Sequence, residues 1–215
     1  MSYKIYSIVY DINQCSEYER YDNSHIKTIE DKSYLFEYNP IIDITSKQIE
    51  EEYLGIFSYK FYIKNLVTKK KLLQRLESPV KFEIYGLSKF SNKNQFGLDF
   101  AEKAHPGFSD IFYPLCEDLG LTTKQPEYMI HSNFFIAKTE IYKDYVNSVV
   151  IPAIELMETK YKDLCWRKCE YRGGSKNIFE LTGLNHYTFH TFVLERLINQ
   201  YYTTKKLNFK QLQLI

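Results

Sequence analysis

The sequence predicts an α/β fold, a sandwich in which helices flank a mainly parallel central sheet. Short apolar segments rich in β-branched and aromatic residues alternate with segments of helical periodicity, which is the pattern of α/β proteins. The length of 215 residues suits one domain with its own core. No repeat, low-complexity tract or linker interrupts the chain, so residues 1–215 are predicted to form a single domain.

The amino-terminal half contains recognisable turn and capping residues. Asn39 and Pro40 predict a turn, because proline disfavours the helical region for the residue before it. Thr45 and Gln48 match a capping box, and Thr68 is a predicted helix N-cap. The predicted elements are strands over residues 4–10, 41–44, 56–63 and 80–87 and helices over residues 46–53 and 69–77.

Similar signals bound the elements of the carboxyl-terminal half. Ser109 is a predicted N-cap, and Gly120 is a predicted helix stop. Thr139 begins a long helix that Pro152 should kink or split. The other predicted elements are helices over residues 98–104, 111–119 and 189–202, a strand over residues 128–138 and an irregular, glycine-bearing segment over residues 167–183.

Charge and cysteine content exclude several classes of protein. The net charge is +1, with 28 basic and 27 acidic residues, whereas a general nucleic-acid binder carries a basic excess. Cys165 and Cys169 lack the second Cys/His pair of a zinc site, so reduced thiols in a cytoplasmic protein are the simplest account. The sequence has neither a secretory signal nor a run of about 18 apolar residues. Dinucleotide, P-loop, zinc-protease and α/β-hydrolase motifs are also missing.

Two segments concentrate polar residues where α/β folds build ligand sites. His131, Ser132 and Asn133 interrupt an apolar strand pattern just before a helix. On the last helix, Glu195 and Arg196 adjoin an apolar stripe, where they could bracket a ligand or form a structural ion pair. His131 likewise fits either a ligand site or a satisfied imidazole in the sheet core.

A third candidate site is the predicted loop around residues 105–110. His105 or Asp110 could act as the base that deprotonates an acceptor hydroxyl. The alternative is a turn at the start of a helix, in which Asp110 interacts favourably with the positive end of the helix dipole.

Three segments, taken in order, resemble a known family. They are Leu-Gly-Ile-Phe-Ser-Tyr-Lys-Phe at 54–61, Ser-Asn-Phe-Phe-Ile-Ala-Lys at 132–138 and Phe-Val-Leu-Glu-Arg-Leu at 192–197. This series resembles an uncharacterised glycosyltransferase-like family of bacterial capsule and lipopolysaccharide gene clusters, whose members look like compact GT-A-type nucleotide-sugar transferases. The resemblance extends from about residue 53 to residue 202.

The resemblance implies a nucleotide-sugar donor and a glycan or lipid-linked acceptor, and it is compatible with peripheral association with a membrane. The donor nucleotide would meet Asp11, Lys60 would compensate the charge of its diphosphate, and Tyr59 would be a further substrate-binding residue. Where the family has His and Arg around its strand tyrosine, this chain has Ser58 and Lys60, so only the positive charge is kept. His131, Ser132 and Asn133 would line the sugar pocket, and Glu195 and Arg196 would hold the site from the last helix.

Metal dependence is left open by the sequence. GT-A enzymes that use Mn²⁺ or Mg²⁺ hold the ion with an Asp-x-Asp motif, and the nearest substitutes here are Asp11-Ile-Asn13 and Glu37-Tyr-Asn39. Lys60 could instead neutralise the leaving diphosphate, so no metal ligand is assigned. The expected function is sugar transfer to a surface polysaccharide or lipopolysaccharide precursor; the alternative is a non-catalytic binding or assembly protein with a GT-A-like fold.

Overall fold

A central sheet organises the protein, with six strands in the part of the chain that the structure describes. The computed structural model describes residues 1–9, 24–26, 32–58, 60–65, 67–77, 80–88, 97–170 and 178–214. The strands are β1 (Tyr3–Val9), β2 (Ser24–Ile26), β3 (Tyr53–Ser58), β4 (Ile84–Ser88), β5 (Phe135–Lys138) and β6 (Phe209–Gln213). Their order across the sheet is β2-β1-β3-β5-β4-β6.

The sheet is mixed. β1 runs parallel to β2 and β3, and β6 runs parallel to β4, but β5 runs antiparallel to both of its neighbours. The α/β class is therefore confirmed, and the prediction of a mainly parallel sheet is corrected to a mixed one. Apolar periodicity could not give the direction of β5, because a buried strand has the same pattern in either direction.

Helices pack on the two faces of this sheet. They are α1 (Tyr38–Ser46), α2 (Lys60–Asn65), α3 (Lys69–Leu76), α4 (Leu98–Ala104), α5 (Ser109–Asp118), α6 (Thr139–Tyr145), α7 (Ile151–Glu158), α8 (Lys162–Cys165), α9 (Ile178–Thr182) and α10 (His190–Lys205). Leu54 and Ile56 of β3 belong to a large apolar cluster with α1, α5 and α10. Tyr53 and Phe57 point the other way, into a smaller cluster with α2 and α3.

The segment before β3 differs from the prediction. Residues 38–46 form α1, where a turn and a strand were predicted, and residues 47–52 connect it to β3 in place of the predicted helix over 46–53. Pro40 lies in the first turn of α1, where its missing N–H would have no helical partner in any case. Thr45 is inside the helix and donates its hydroxyl to the carbonyl of Ile41 at 2.8 Å, so it does not cap a following helix.

The predicted strands over residues 56–63 and 128–138 are both shorter in the structure. β3 ends at Ser58, and Lys60 begins α2. β5 contains only four residues, Phe135–Lys138, and residues 131–134 form a turn before it. A helix follows β3 and a turn precedes β5, and apolar patterning alone did not separate either of them from the strand.

Pro152 interrupts the long helix, as predicted. A π-helical turn (Val146–Val150) joins α6 to α7. Proline has no N–H to donate to the carbonyl four residues earlier, which belongs here to Ser148 within that turn. The helix continues on both sides of the interruption, and Ala153 and Met157 of α7 are buried in the same apolar cluster as Tyr142 and Tyr145 of α6.

Candidate functional site

The carboxyl ends of β1, β3 and β4 lie at one edge of the sheet. β1 and β3 are parallel, and β3 and β4 share a direction because both run antiparallel to β5. The amino end of β5 lies at the same edge, since Gly86 of β4 pairs with Phe135. In open α/β sheets, ligands bind outside the carboxyl ends of the strands.

Residues 131–134 form a tight turn at this carboxyl edge. Ser132 has a φ of 54° and Asn133 a φ of 56°, which is left-handed backbone at two successive non-glycine residues. The N–H of Phe134 donates to the carbonyl of His131 at 3.1 Å and closes the turn. Such backbone costs about 1–3 kcal/mol per residue and is concentrated at ligand sites, where the surrounding structure holds it in place.

Two buried side chains hold the 131–134 turn. Asn199 of α10 is fully buried; its Oδ1 accepts from the N–H of Ile130 at 2.6 Å, and its Nδ2 donates to the carbonyl of Ile130 at 3.0 Å. Tyr38, the first residue of α1, donates its hydroxyl to Oδ1 of Asn133 at 3.0 Å. The turn is therefore fixed by α10 from one side and by α1 from the other.

Helix α10 also brings an acidic and a basic side chain, Glu195 and Arg196, to this turn. Oε2 of Glu195 lies 3.6 Å from Nη1 of Arg196, and the two side chains are 21% and 6% exposed. Nη1 of Arg196 donates to the carbonyl of Phe192 at 2.7 Å. Burial raises the pKa of Glu195 to about 7; the positive charge of Arg196 opposes this effect, and the negative charge of Glu37 adds to it. Glu195 is therefore a carboxyl group that exchanges its proton near neutral pH.

His131 lies in the same electrostatic environment and is neutral. Burial lowers the pKa of His131 to about 4, and the positive charges of Arg196 and Lys64 act in the same direction. Lys64, on α2, lies with its Nζ 5.7 Å from the centre of the Phe134 ring. The site therefore combines two cations, a neutral imidazole and a titratable carboxyl group around the 131–134 turn.

The structure brings together several residues that the sequence predicted for a site. Glu195, Arg196, His131 and Asn133 gather at the carboxyl edge, and Ser132 lies between the last two. Asp11 and Tyr59 lie outside the described residues. Lys60 is the first residue of a helix, which corrects its predicted position within a strand.

His105 and Asp110 have different surroundings. His105 is buried, its ring stacks on Phe192 with centres 3.8 Å apart, and its Nδ1 lies 2.9 Å from the carbonyl oxygen of Glu170. Asp110 is exposed in the first turn of α5. Among the described contacts, no hydrogen bond or ion pair joins Asp110 to Glu195 or Arg196. These surroundings agree with the alternative of a turn at the start of a helix.

Sequence reasoning gave no role to three residues of the site, namely Tyr38, Lys64 and Asn199, although helical spacing placed Asn199 on one face with Glu195 and Arg196. Asn199 follows Glu195 by four residues and Arg196 by three, so helical spacing places it on the same side of α10. Nothing in the sequence indicates that Asn199 forms hydrogen bonds with the backbone of Ile130, 69 residues earlier. Tyr38 could not be found because its segment was predicted as a turn, and Lys64 because α2 was predicted as a strand.

Glu37-Tyr-Asn39, a sequence candidate for metal binding, does not present its side chains as an Asp-x-Asp motif would. Tyr38 is buried between the other two residues, and Nδ2 of Asn39 donates to the Ser33 hydroxyl at 3.0 Å. Within the part of the chain that the structure describes, no group of three or more His, Cys, Asp or Glu side chains could hold a metal ion. We therefore assign no metal ligand among the described residues.

Comparison with protein-family profiles, curated proteins and solved structures gave no match. Among the described helices, none combines the length and the apolar character needed to cross a membrane. The functional conclusion therefore rests on the side chains around the 131–134 turn at the carboxyl edge.

Proposed function

We propose that this protein is a GT-A-like glycosyltransferase that moves a sugar from a nucleotide-sugar donor to a precursor of a surface polysaccharide or lipopolysaccharide. The observation that carries the proposal is the pairing of Glu195, whose pKa is about 7, with cationic side chains beside a strained turn at the carboxyl edge. The family resemblance of the sequence at residues 132–138 and 192–197 supports the same conclusion.

In the proposed reaction, Glu195 is the general base. Its carboxylate takes the proton from an acceptor hydroxyl, whose oxygen forms a new bond to the anomeric carbon of the donor sugar. The bond from that carbon to the diphosphate oxygen breaks, and the electron pair leaves with the diphosphate. A base with a pKa near the working pH is the efficient choice, because it is both available and strong enough.

The cations of the site stabilise the leaving group in this proposal. Lys64, which is exposed, and Arg196, which is buried, carry positive charge beside the 131–134 turn. The charge of Arg196 is worth more, because water is excluded from it. Lys60 lies four residues before Lys64 in α2 and keeps its proposed role with the diphosphate. His131, neutral at pH 7, offers hydrogen bonds to sugar hydroxyls without adding charge. The proposed location is the cytoplasm, which suits the cysteines of the described residues, Cys116, Cys165 and Cys169, all of which are free and buried.

A two-step experiment tests the proposal. The protein is first titrated with a panel of nucleoside diphosphate sugars at millimolar concentration, with binding followed by NMR. The release of nucleoside diphosphate is then measured with the donor that binds. Binding and slow donor hydrolysis by the wild-type protein are the expected results. Failure of every donor to bind would contradict the proposal.

The Glu195→Gln variant separates catalysis from binding. We expect turnover to fall by roughly 10²–10⁴, the usual contribution of a positioned base, while donor affinity stays within a few-fold. Glu155→Gln, on the exposed face of α7, makes the same change away from the site and should leave turnover unaffected. Donor binding without turnover in the wild-type protein would favour the non-catalytic binding or assembly protein instead.

A further inference from the structure

Two aromatic side chains next to the site stack on each other. The rings of Phe36 and Tyr187 have centres 6.0 Å apart and planes that differ by 14°. Both residues are only partly buried, unlike the fully buried rings of the core. Nearly parallel, partly exposed rings are suited to contact with a flat apolar face of a ligand.

Backbone hydrogen bonds hold the main chain of both residues. Phe36 has a φ of 49°, a left-handed conformation that is rare for a bulky residue. The turn that imposes it is closed by the N–H of Phe36, which donates to the carbonyl of Ser33 at 3.2 Å. Tyr187 is fixed by a backbone bridge in which the N–H of Cys169 donates to its carbonyl at 2.8 Å. Strain of this kind persists where function requires a particular side-chain position.

The pair is connected to the proposed base through neighbouring residues. Phe36 precedes Glu37, whose charge acts on Glu195, and Tyr38, which holds Asn133. The Tyr187 ring is 5.9 Å from the ring of Phe192, which is one helical turn before Glu195. Both rings are therefore connected to the surroundings of Glu195, Phe36 through the next residue in the chain and Tyr187 through the ring of Phe192.

We propose that Phe36 and Tyr187 form a stacking platform for an uncharged pyranose ring of the acceptor. This inference rests on the proposed function, because the group that gives its proton to Glu195 must belong to the acceptor. A pyranose ring has an apolar face of C–H groups that packs on aromatic rings, and its hydroxyls remain free to reach the base. The negative charge of Glu37 and the titratable Glu195 disfavour an anionic sugar at the same place.

The test uses uncharged and charged sugars as probes. Methyl glucoside and methyl galactoside are titrated into the full-length protein, with methyl glucuronide as the anionic comparison, and binding is followed by saturation-transfer NMR. We expect at least one uncharged glycoside to bind and to receive saturation from aromatic protons. We expect the glucuronide to bind more weakly.

The backbone of Phe36 provides a variant that removes the ring without endangering the fold. Phe36→Gly deletes the side chain at a residue whose positive φ glycine adopts readily, so the thermal midpoint should not fall steeply. Binding of the glycoside should weaken roughly tenfold, as it should in Tyr187→Ala. Phe36→Tyr keeps a ring and should keep binding. Phe100→Ala removes an exposed ring from α4 and serves as the control.

The outcomes separate the platform from the enzymatic proposal. Loss of glycoside binding in Phe36→Gly supports the platform, even if no nucleoside diphosphate sugar binds and the proposed reaction is wrong. Equal binding by the wild-type protein and Phe36→Gly overturns the platform, as does failure of every uncharged glycoside to bind, whatever the donor titration gives. Stronger binding of the glucuronide overturns the assignment of an uncharged ring.

Discussion

Asn199 connects the chemistry of helix α10 with the backbone of the 131–134 turn. Its side chain satisfies both the N–H and the carbonyl of Ile130, the residue just before the turn. It lies one helical turn after Glu195, so the same rigid element carries the proposed base and holds the turn. Catalytic groups held by the same packed element keep their geometry more precisely than groups on independent loops.

Replacing Asn199 by leucine should therefore disturb both stability and the site. Leucine has a similar volume but leaves two buried backbone groups of Ile130 without partners. Each such group costs about 1–3 kcal/mol, and we expect the free energy of unfolding to fall by about 2–4 kcal/mol. Denaturant unfolding measures this loss. Asn147→Leu, an identical change at an exposed position of the π-helical turn, should cost less than about 1 kcal/mol.

A purely structural role for Asn199 would leave the titration of the site unchanged. If Asn199 positions the turn, release of His131 and its neighbours to solvent should move the pKa of His131 upward toward its ordinary value. NMR titration of the histidine side chains in Asn199→Leu measures this shift. A pKa of His131 that stays near 4 would contradict the positioning role, even if stability fell as expected.

At the residue scale, the sequence indicated which side chains form the site, but it did not indicate how they come together. Glu195, Arg196 and Asn133 were predicted because acidic, basic and amide side chains adjoin apolar stripes. Their convergence depends on the sheet order, which places α10 against the turn before β5. No local pattern specifies the partner of Asn199, because long-range hydrogen bonds between a side chain and the backbone have no fixed spacing in sequence.

At the scale of elements, helix ends were predictable where a side chain supplies the cap. Thr68 was a predicted N-cap, and its Oγ1 accepts from the N–H of Lys71 at 3.3 Å at the start of α3. Ser109 was wrongly predicted as a cap. It lies within α5, and the carboxylate of Glu102 accepts from the backbone N–H groups of Gly107 and Ser109. The side chain that accepts hydrogen bonds from the N–H groups at the start of α5 is therefore Glu102 of the preceding helix, and not Ser109.

The Thr68 cap leads to a direct prediction. Thr68→Ala removes the acceptor for the N–H of Lys71 and should lower the free energy of unfolding by about 1 kcal/mol. Thr68→Ser keeps the hydroxyl, so its free energy of unfolding should stay close to that of the wild-type protein. Thermal unfolding of the three proteins under one set of conditions measures the difference. Equal losses in Thr68→Ala and Thr68→Ser would mean that the methyl group, and not the cap, stabilises α3.

Two of the wrongly predicted segments failed for different reasons. Residues 38–46 were predicted as a turn and a strand because proline disfavours helical backbone at the residue before it, here Asn39. Proline is nevertheless well tolerated in the first turn of a helix, where Pro40 lies. Residues 128–134 have strand-like composition, but Asn199 and Tyr38 hold their end in left-handed backbone. The first segment is helical because its proline lies in the first turn. The second segment ends in a turn because tertiary contacts outweigh the strand propensity of its residues.

For the whole molecule, buried titratable groups couple the site to folding. Burial lowers the pKa of His131 and of His190 to about 4. Each of these histidines binds protons more weakly in the folded protein, so its contribution to stability is lost as pH falls from about 6.5 toward 4. Glu195 acts in the opposite sense, because burial raises its pKa to about 7 from an ordinary value of 4.5.

The raised pKa of Glu195 should make the free energy of unfolding depend on pH. Between pH 4.5 and pH 7 the folded protein retains a proton on Glu195 that the unfolded chain releases, so the folded state loses relative stability as pH rises through this range. A shift of this size corresponds to up to about 3 kcal/mol. Glu195→Gln removes the titration and leaves the histidines in place. The free energies of unfolding of the wild-type protein and of Glu195→Gln, measured by denaturant from pH 4 to pH 8, should therefore diverge as pH rises, with the wild-type protein losing stability relative to the variant. A difference that stays constant across that range would mean that Glu195 titrates as an ordinary carboxyl group, and the proposed base would then be ionised throughout and would gain nothing from its buried position.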